Sequence, residues 1–322
     1  MNTIPTIDDI RRAAERIRPY VHRTPVMTCE SLNHMAGAFL FFKCENFQKA
    51  GAFKMRGAAN AVFSLPDDAA ARGVATHSSG NHAAALSLAA TLRGIEAYIV
   101  MPENSPGVKK AAVEGYGGRI TFCEPTLQAR EDTLADVVDR TGAIFIPPYN
   151  HPDIIAGQGT AALELIEDTP VLDAIIAPVG GGGLMSGTAI TAQSLSPGIM
   201  VYGAEPEMAD DAYRSFKTGV LQPSVNPATV ADGLKTSLGE ITFEIIKHHV
   251  DEIATVSEEA IIRAMRLIWE RMKIIVEPSC AVPLAALLER KLDVRGKKVG
   301  IILSGGNVDL DRLPWLGQQA AG

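Results

Sequence analysis

The chain is poor in cysteine, with Cys29, Cys44, Cys123 and Cys280 among 322 residues and no Cys-x-x-Cys pair. A disulfide framework is uneconomical for a chain of this size, and four small buried apolar side chains are the simpler expectation. Long apolar runs are missing too. No stretch approaches the roughly 18 uninterrupted apolar residues of a membrane span. The N-terminal segment mixes acids and bases around no apolar centre, unlike a signal peptide. The expectation is a cytoplasmic protein without a membrane partner. Positive charge is not in excess either: Lys and Arg number 30 against 37 Asp and Glu, a net charge of −7. Nucleic acid is therefore not expected as the main partner. Linkers, repeats and low-complexity tracts are absent. So are His-Glu-x-x-His and Gly-x-Ser-x-Gly, which removes two common hydrolase signatures.

What is present suits an ordinary globular protein of one large domain or two modest ones, with 47% hydrophobic and 21% charged residues. Short apolar runs recur at 39–42, 97–101, 143–146, 174–177 and 299–303. Such runs, bounded by Gly or Pro, suit strands covered on both faces. Between them lie helical stretches. Asn81 to Arg93 is rich in alanine and ends at Gly94, a good C-terminal stop. Ser257 is a good N-cap for Glu258 to Met272. The alternation predicts an α/β fold with mostly parallel sheets flanked by helices. Three prolines between Pro147 and Pro152 mark a break that is either a domain boundary or a loop.

Five motifs carry chemistry. Phe53-Lys54 sits among small residues before a helical stretch; a lysine amine forms a Schiff base when burial lowers its pKa, whereas an ordinary lysine is exposed. Ser78-Ser79-Gly80-Asn81-His82 opens a helix after a strand and offers N–H groups and hydroxyls to a carboxylate; the plain alternative is Asn81 as N-cap and Gly80 as turn residue. Gly180-Gly181-Gly182-Gly183-Leu184 also joins a strand to a helix. It fits neither the dinucleotide fingerprint nor the P-loop, which leaves a single phosphate as its guest or a flexible loop as its bland explanation. Ser304 follows the last strand, where α/β sheets bind ligands. The loop from Glu205 to Asp211 is either a Mg²⁺ or Ca²⁺ site or a solvated acidic loop.

Taken in order, the first four motifs resemble the fold-type II pyridoxal phosphate family that contains serine/threonine dehydratases and serine racemase. The resemblance covers roughly residues 5 to 310. It implies a two-domain fold like that of tryptophan synthase β, with 1–50 and 150–322 as the large cofactor-binding domain and 51–149 as the small one. It implies pyridoxal 5′-phosphate bound through Lys54, with Phe53 beside the ring and Asn81 on the phenolic oxygen. Gly180, Gly181, Gly182, Gly183 and Leu184 form the phosphate cup, and Ser304 faces the pyridine nitrogen. Ser78, Ser79, Gly80, His82 and Arg130 are the implied substrate contacts, and Lys54 and Ser79 the implied acid/base pair. Glu205, Ala209 (through its carbonyl) and Asp211 match the metal site of the racemase branch. A homodimer is implied as well.

The implied reaction is dehydration of L-threonine or L-serine to a 2-oxo acid and ammonia, with Lys54 taking the Cα proton. A neutral Ser304 cannot hold the ring nitrogen protonated, which favours elimination over transamination. Ser79 keeps serine racemase and dehydration of 3-hydroxyaspartate or of a hydroxyectoine-derived hydroxy-amino acid as alternatives; a non-catalytic binding protein is the remote one. Ala52, the Ala83-Ala84 pair and Cys280 depart from the residues usual in the family, and the last two leave the substrate pocket open to change.

Overall fold

A computed structural model describes residues 3–316. Among the described residues ten strands form two sheets: β1 (Val26–Met27), β2 (Phe39–Cys44), β3 (Val74–His77), β4 (Ala97–Pro102), β5 (Arg119–Cys123), β6 (Ile144–Phe145), β7 (Ala174–Pro178), β8 (Met200–Pro206), β9 (Glu252–Val256) and β10 (Lys298–Leu303). The larger sheet runs β1-β2-β10-β7-β8-β9 and the smaller β5-β4-β3-β6. Every pair is parallel except β1 with β2. All five expected apolar runs lie in or across strands.

The apolar runs work because both faces are covered. Along β7, Ala174 and Ile176 enter one core and Ile175 and Ala177 the other, the period of two that a strand imposes. The helices begin and end at the expected signals. Ser257 Oγ accepts from Ala260 N at the start of Glu258–Met272. The helix Asn81–Arg93 stops at Gly94, which adopts φ 74°, a left-handed conformation glycine takes freely. No helix of the described residues is long and apolar enough to cross a membrane.

Connectivity decides where a site can form. In the larger sheet the chain order reverses between β7 and β10, and in the smaller between β3 and β6. At such a switch point the connections leave in opposite directions and open a crevice at the carboxyl ends of the strands. The glycine run follows β7, Ser304 follows β10 and the Ser78–His82 turn follows β3, so all three motifs stand at carboxyl ends beside a reversal.

Candidate active site

Lys54 is the first residue of the helix Lys54–Ser64. Backbone contacts tie its turn to the end of β10: Phe53 N donates to Ser304 O at 3.0 Å, and Ala52 bridges Gly305. The amine donates to Pro148 O at 2.6 Å and lies 5.2 Å from the centre of the Phe53 ring. Burial pushes its pKa down to about 8, against the opposing charge of Glu277. A buried amine without a carboxylate touching it is the environment a Schiff-base lysine needs.

Asn81 does not cap its helix. Gly80 takes the N-cap position and Asn81 is the first helical residue. Its side chain turns inward instead. Nδ2 donates to both Glu277 oxygens at 2.9 and 3.1 Å, and Oδ1 accepts from Asn307 Nδ2 at 2.9 Å. Asn307 also donates to Ala50 O at 2.8 Å, just before the lysine turn. Carboxylate on one side and donor on the other fix which way the amide faces.

Glu277 was not singled out by sequence reasoning, although the signal was there: one carboxylate among apolar residues, just before a proline that starts a helix. It is only 5% exposed. Burial, then the charge of Asp232, pushes its pKa up to about 7, while Asn81 and Lys109 pull the other way. Lys109 and Asp232 form an ion pair above it. Cys280, in the next helix turn, is fully buried, and the N–H groups of Gly305 and Ser304 face its sulfur. The other cysteines are free as well.

The glycine run is tightly enclosed. Gly182 has φ +84° and caps the helix Gly183–Leu195 without a side-chain bond. A Cβ on Gly180 would stand 3.1 Å from Gly233 O, and one on Gly181 would enter the Tyr149 ring. Thr242 Oγ1 donates to Gly181 O at 2.9 Å, and Leu184 is buried. A helix start of bare N–H groups, behind glycines that admit no side chain, fits a phosphate. Tyr149, also missed, closes this loop with its ring and reaches Thr236 Oγ1 with its hydroxyl at 3.0 Å. Its neighbour Pro148 holds the lysine amine, so this pair of residues joins the cup to Lys54.

The remaining expected residues fall in different places. Ser78, Ser79 and Gly80 are half-buried in the turn, and Gly80 N reaches Ser78 Oγ at 3.4 Å. The His82 ring is buried at 2% exposure, with Nε2 3.0 Å from Ile146 O and Nδ1 without a partner. Burial, then Lys54, pushes its pKa down to about 3, so the ring is neutral. Arg130 lies in the helix Leu127–Thr141, half-buried, with Nε enclosed and without a hydrogen-bond partner. After burial, its charge is the main influence lowering the pKa of His77, the residue before Ser78.

Glu205 stands near the end of β8, Ala209 in the short 3-10 turn Glu207–Ala209 that follows, and Asp211 starts the helix Asp211–Thr218. Glu205 is fully buried and accepts from Ala212 N at 3.2 Å and Tyr213 N at 2.9 Å. Burial and the charge of Asp211 push its pKa well up. Burial also pushes Asp211 up to about 6. Ser224 and the Leu238 N–H approach Asp211 and lower its pKa, but neither completes a hydrogen bond; both carboxylate oxygens and Ser224 Oγ are buried without one. Among the described residues no group of three or more His, Cys, Asp or Glu side chains could hold a metal ion. The unmet oxygens of buried Asp211, whose charge acts on buried Glu205, nevertheless have the chemistry of a hard-cation ligand.

Comparison with known proteins gives this geometry its context. The family model described as pyridoxal-phosphate dependent enzyme matches residues 17–305. A β-hydroxyaspartate dehydratase from Paracoccus denitrificans is 56% identical over 97% of this chain and 99% of its own length. An L-threo-3-hydroxyaspartate ammonia-lyase from Saccharomyces cerevisiae is 49% identical over 96% of this chain and 95% of its own. The crystal structure of serine racemase from Dictyostelium discoideum superimposes with a TM-score of 0.92 at 52% identity, covering 95% of this chain and 99% of that one. The chain belongs to the pyridoxal-phosphate dependent enzymes of fold-type II, in the family of serine/threonine dehydratases and serine racemases.

Proposed function

We propose that the protein is an ammonia-lyase that dehydrates 3-hydroxyaspartate to a 2-oxo acid and ammonia. The resemblance puts L-threonine and L-serine first. The observation that reverses this order is Arg130, whose enclosed Nε has no partner and whose charge acts on the residue preceding the Ser78–His82 turn. One carboxylate of the substrate meets the turn at the start of the helix Asn81–Arg93; a second would meet this guanidinium, which suits planar carboxylates. The names of two relatives above support the same substrate. Ser79 supports serine racemisation as a second activity, with its hydroxyl as the acid opposite Lys54.

Pyridoxal phosphate, when bound, supplies an electron sink for the bond that breaks at Cα. The enclosed glycines Gly180 to Gly183, with Leu184, would hold its phosphate. Lys54 would bind its carbonyl carbon, Phe53 would pack on the ring, Asn81 would meet the phenolic oxygen and Ser304 the ring nitrogen. Lys54 then moves the Cα proton: an amine with a pKa near 8 exchanges protons readily close to neutral pH. Glu277 and Asn307 keep Asn81 facing one way. Glu205, Asp211 and the Ala209 carbonyl would hold Mg²⁺ or Ca²⁺ at a distance from the reaction. The division into 1–50 with 150–322 and 51–149, a homodimer and a cytoplasmic location belong to the same reading.

The test supplies the cofactor-loaded protein with L-serine, L-threonine and each 3-hydroxyaspartate diastereomer, and measures 2-oxo acid, ammonia and D-amino acid. The highest kcat/KM is expected with one 3-hydroxyaspartate diastereomer. Arg130→Met is expected to raise KM for that substrate about tenfold or more and to leave KM for serine nearly unchanged. A higher kcat/KM for threonine or serine than for either diastereomer would overturn the substrate assignment.

A further inference from the structure

Arg56 stands two residues beyond Lys54, in the first turn of the same helix, and is fully buried. Every arm of its guanidinium is used. Nε and Nη2 donate to the two oxygens of Glu45 at 2.7 and 2.8 Å. Nη1 and Nη2 donate to the two oxygens of Glu164, each at 2.8 Å. Nη1 also reaches Thr160 Oγ1 at 3.2 Å. Lys43, buried as well, completes the cluster by binding Glu164 at 2.6 Å and Thr24 O at 2.7 Å. Only a planar fork can grip two carboxylates with two hydrogen bonds each; the three donors of a lysine cannot.

Each partner leads to a different wall of the cleft. Glu45 follows Cys44, which pairs with Leu303, the last residue of β10, and Ser304 comes directly after it. Thr160 and Glu164 belong to the helix Pro152–Glu167. That helix lies backbone to backbone against the helix that starts at the glycine cup: a Cβ on Gly187 would come within 2.5 Å of Gly159 N. It touches the lysine turn as closely, since a Cβ on Gly157 would stand 2.6 Å from Arg56 O. Gly57 N donates to Gln158 Oε1 at 3.2 Å. At the two glycine contacts backbone meets backbone, with no side chain between to absorb a shift.

We propose that Arg56 is a positioning residue that keeps three elements in register: the lysine turn, the end of the Ser304 strand and the glycine cup. A cofactor that bonds to all three at once is sensitive to their spacing, and misplacement by about 1 Å is enough to cost a large factor in rate. Burying four charges is a poor way to gain stability, because apolar replacements often do as well. Their geometric specificity is what apolar side chains could not supply.

The inference rests on Lys54 being the cofactor lysine, and the test separates the two claims. Borohydride reduction of the wild-type holoenzyme, followed by peptide mass mapping, must find the cofactor on Lys54; an adduct on another lysine refutes that assignment and not the clamp. Arg56→Lys keeps the charge but loses the fork, and Glu164→Gln removes one partner. Both are expected to bind pyridoxal phosphate about tenfold more weakly and to shift the pH midpoint of its visible absorbance, with kcat falling more than KM rises. Wild-type affinity and midpoint in both variants, whatever their melting temperatures, would mean that the cluster only holds the fold. Should Arg56→Lys fail to fold, Thr160→Val deletes a single hydrogen bond to Arg56. The same shifts on a smaller scale are expected there, and wild-type values overturn the proposal.

Discussion

Two clusters of buried charge in the protein are treated in opposite ways. Around Arg56, two cations and two carboxylates answer one another: Arg56 and Lys43 bind Glu164, and Arg56 also binds Glu45. Burial raises the pKa of Glu164, but the hydrogen bonds and charges of Arg56 and Lys43 outweigh it and leave the carboxyl below its usual value. At Glu205 and Asp211 two carboxylates are buried with no side-chain cation bonded to either, and both are pushed up. The first cluster is complete within the chain and behaves as framework. The second has unmet acceptors on Asp211, as the proposed cation site requires. Burial of charge alone does not distinguish structure from ligand site; the balance of its partners does.

Breaking the complete cluster should have the largest effect. Arg56→Met leaves Glu45 buried without its cation and Glu164 with Lys43 alone, and is expected to lower stability by about 3–5 kcal/mol, measured by urea unfolding of the cofactor-free protein. Glu277 lies between the two extremes, held by Asn81 but facing Asp232, Lys109 and Lys54. Its folded pKa, about 7, is above the ordinary 4.5. The folded state therefore holds the proton more tightly, and stability should fall as pH rises through that window, by on the order of 3 kcal/mol. Glu277→Gln should flatten this slope. Glu164 runs the other way: its contribution is present above pH 4.5 and is lost as pH falls.

The open cluster is sharpened by filling it. At about 100 times its dissociation constant, Mg²⁺ or Ca²⁺ should add roughly 2.7 kcal/mol, seen as a higher melting temperature that EDTA reverses and that Asp211→Asn no longer shows. No response in the wild type would remove the metal from the reading. The smallest effect is expected at an exposed pair, Arg119 with Glu96, 2.6 Å apart. Arg119→Ala should change stability by only about 0.2–1 kcal/mol, which would show that burial, and not pairing, gives the Arg56 cluster its weight.

Much of the fold was legible in the residues. The strands follow from short apolar runs, and Gly94 and Ser257 end and start helices by their own local chemistry. The site was legible in part. Lys54, Asn81 and Ser304 were visible as motif residues, yet Asn81 alone looked like a helix cap, and only Glu277 and Asn307, distant in sequence, explain its inward turn. His82 was read as part of a carboxylate turn, and no sign in the sequence showed that its ring would contact Ile146 O. Tyr149, Glu277 and Arg56 escaped because their chemistry depends on partners far along the chain, and no spacing rule connects residues 56 and 164.

By itself the sequence determined the local elements, the glycine run that joins a strand to a helix, and the motifs whose order points to a cofactor family. Those depend on backbone conformation and on neighbours a few residues away. Tertiary structure alone decided which charges are answered and which are not: Glu164 meets Arg56, whereas Asp211 meets no cation. The physical reason is that burial raises the stake of every charge, and only packing determines who shares the buried space.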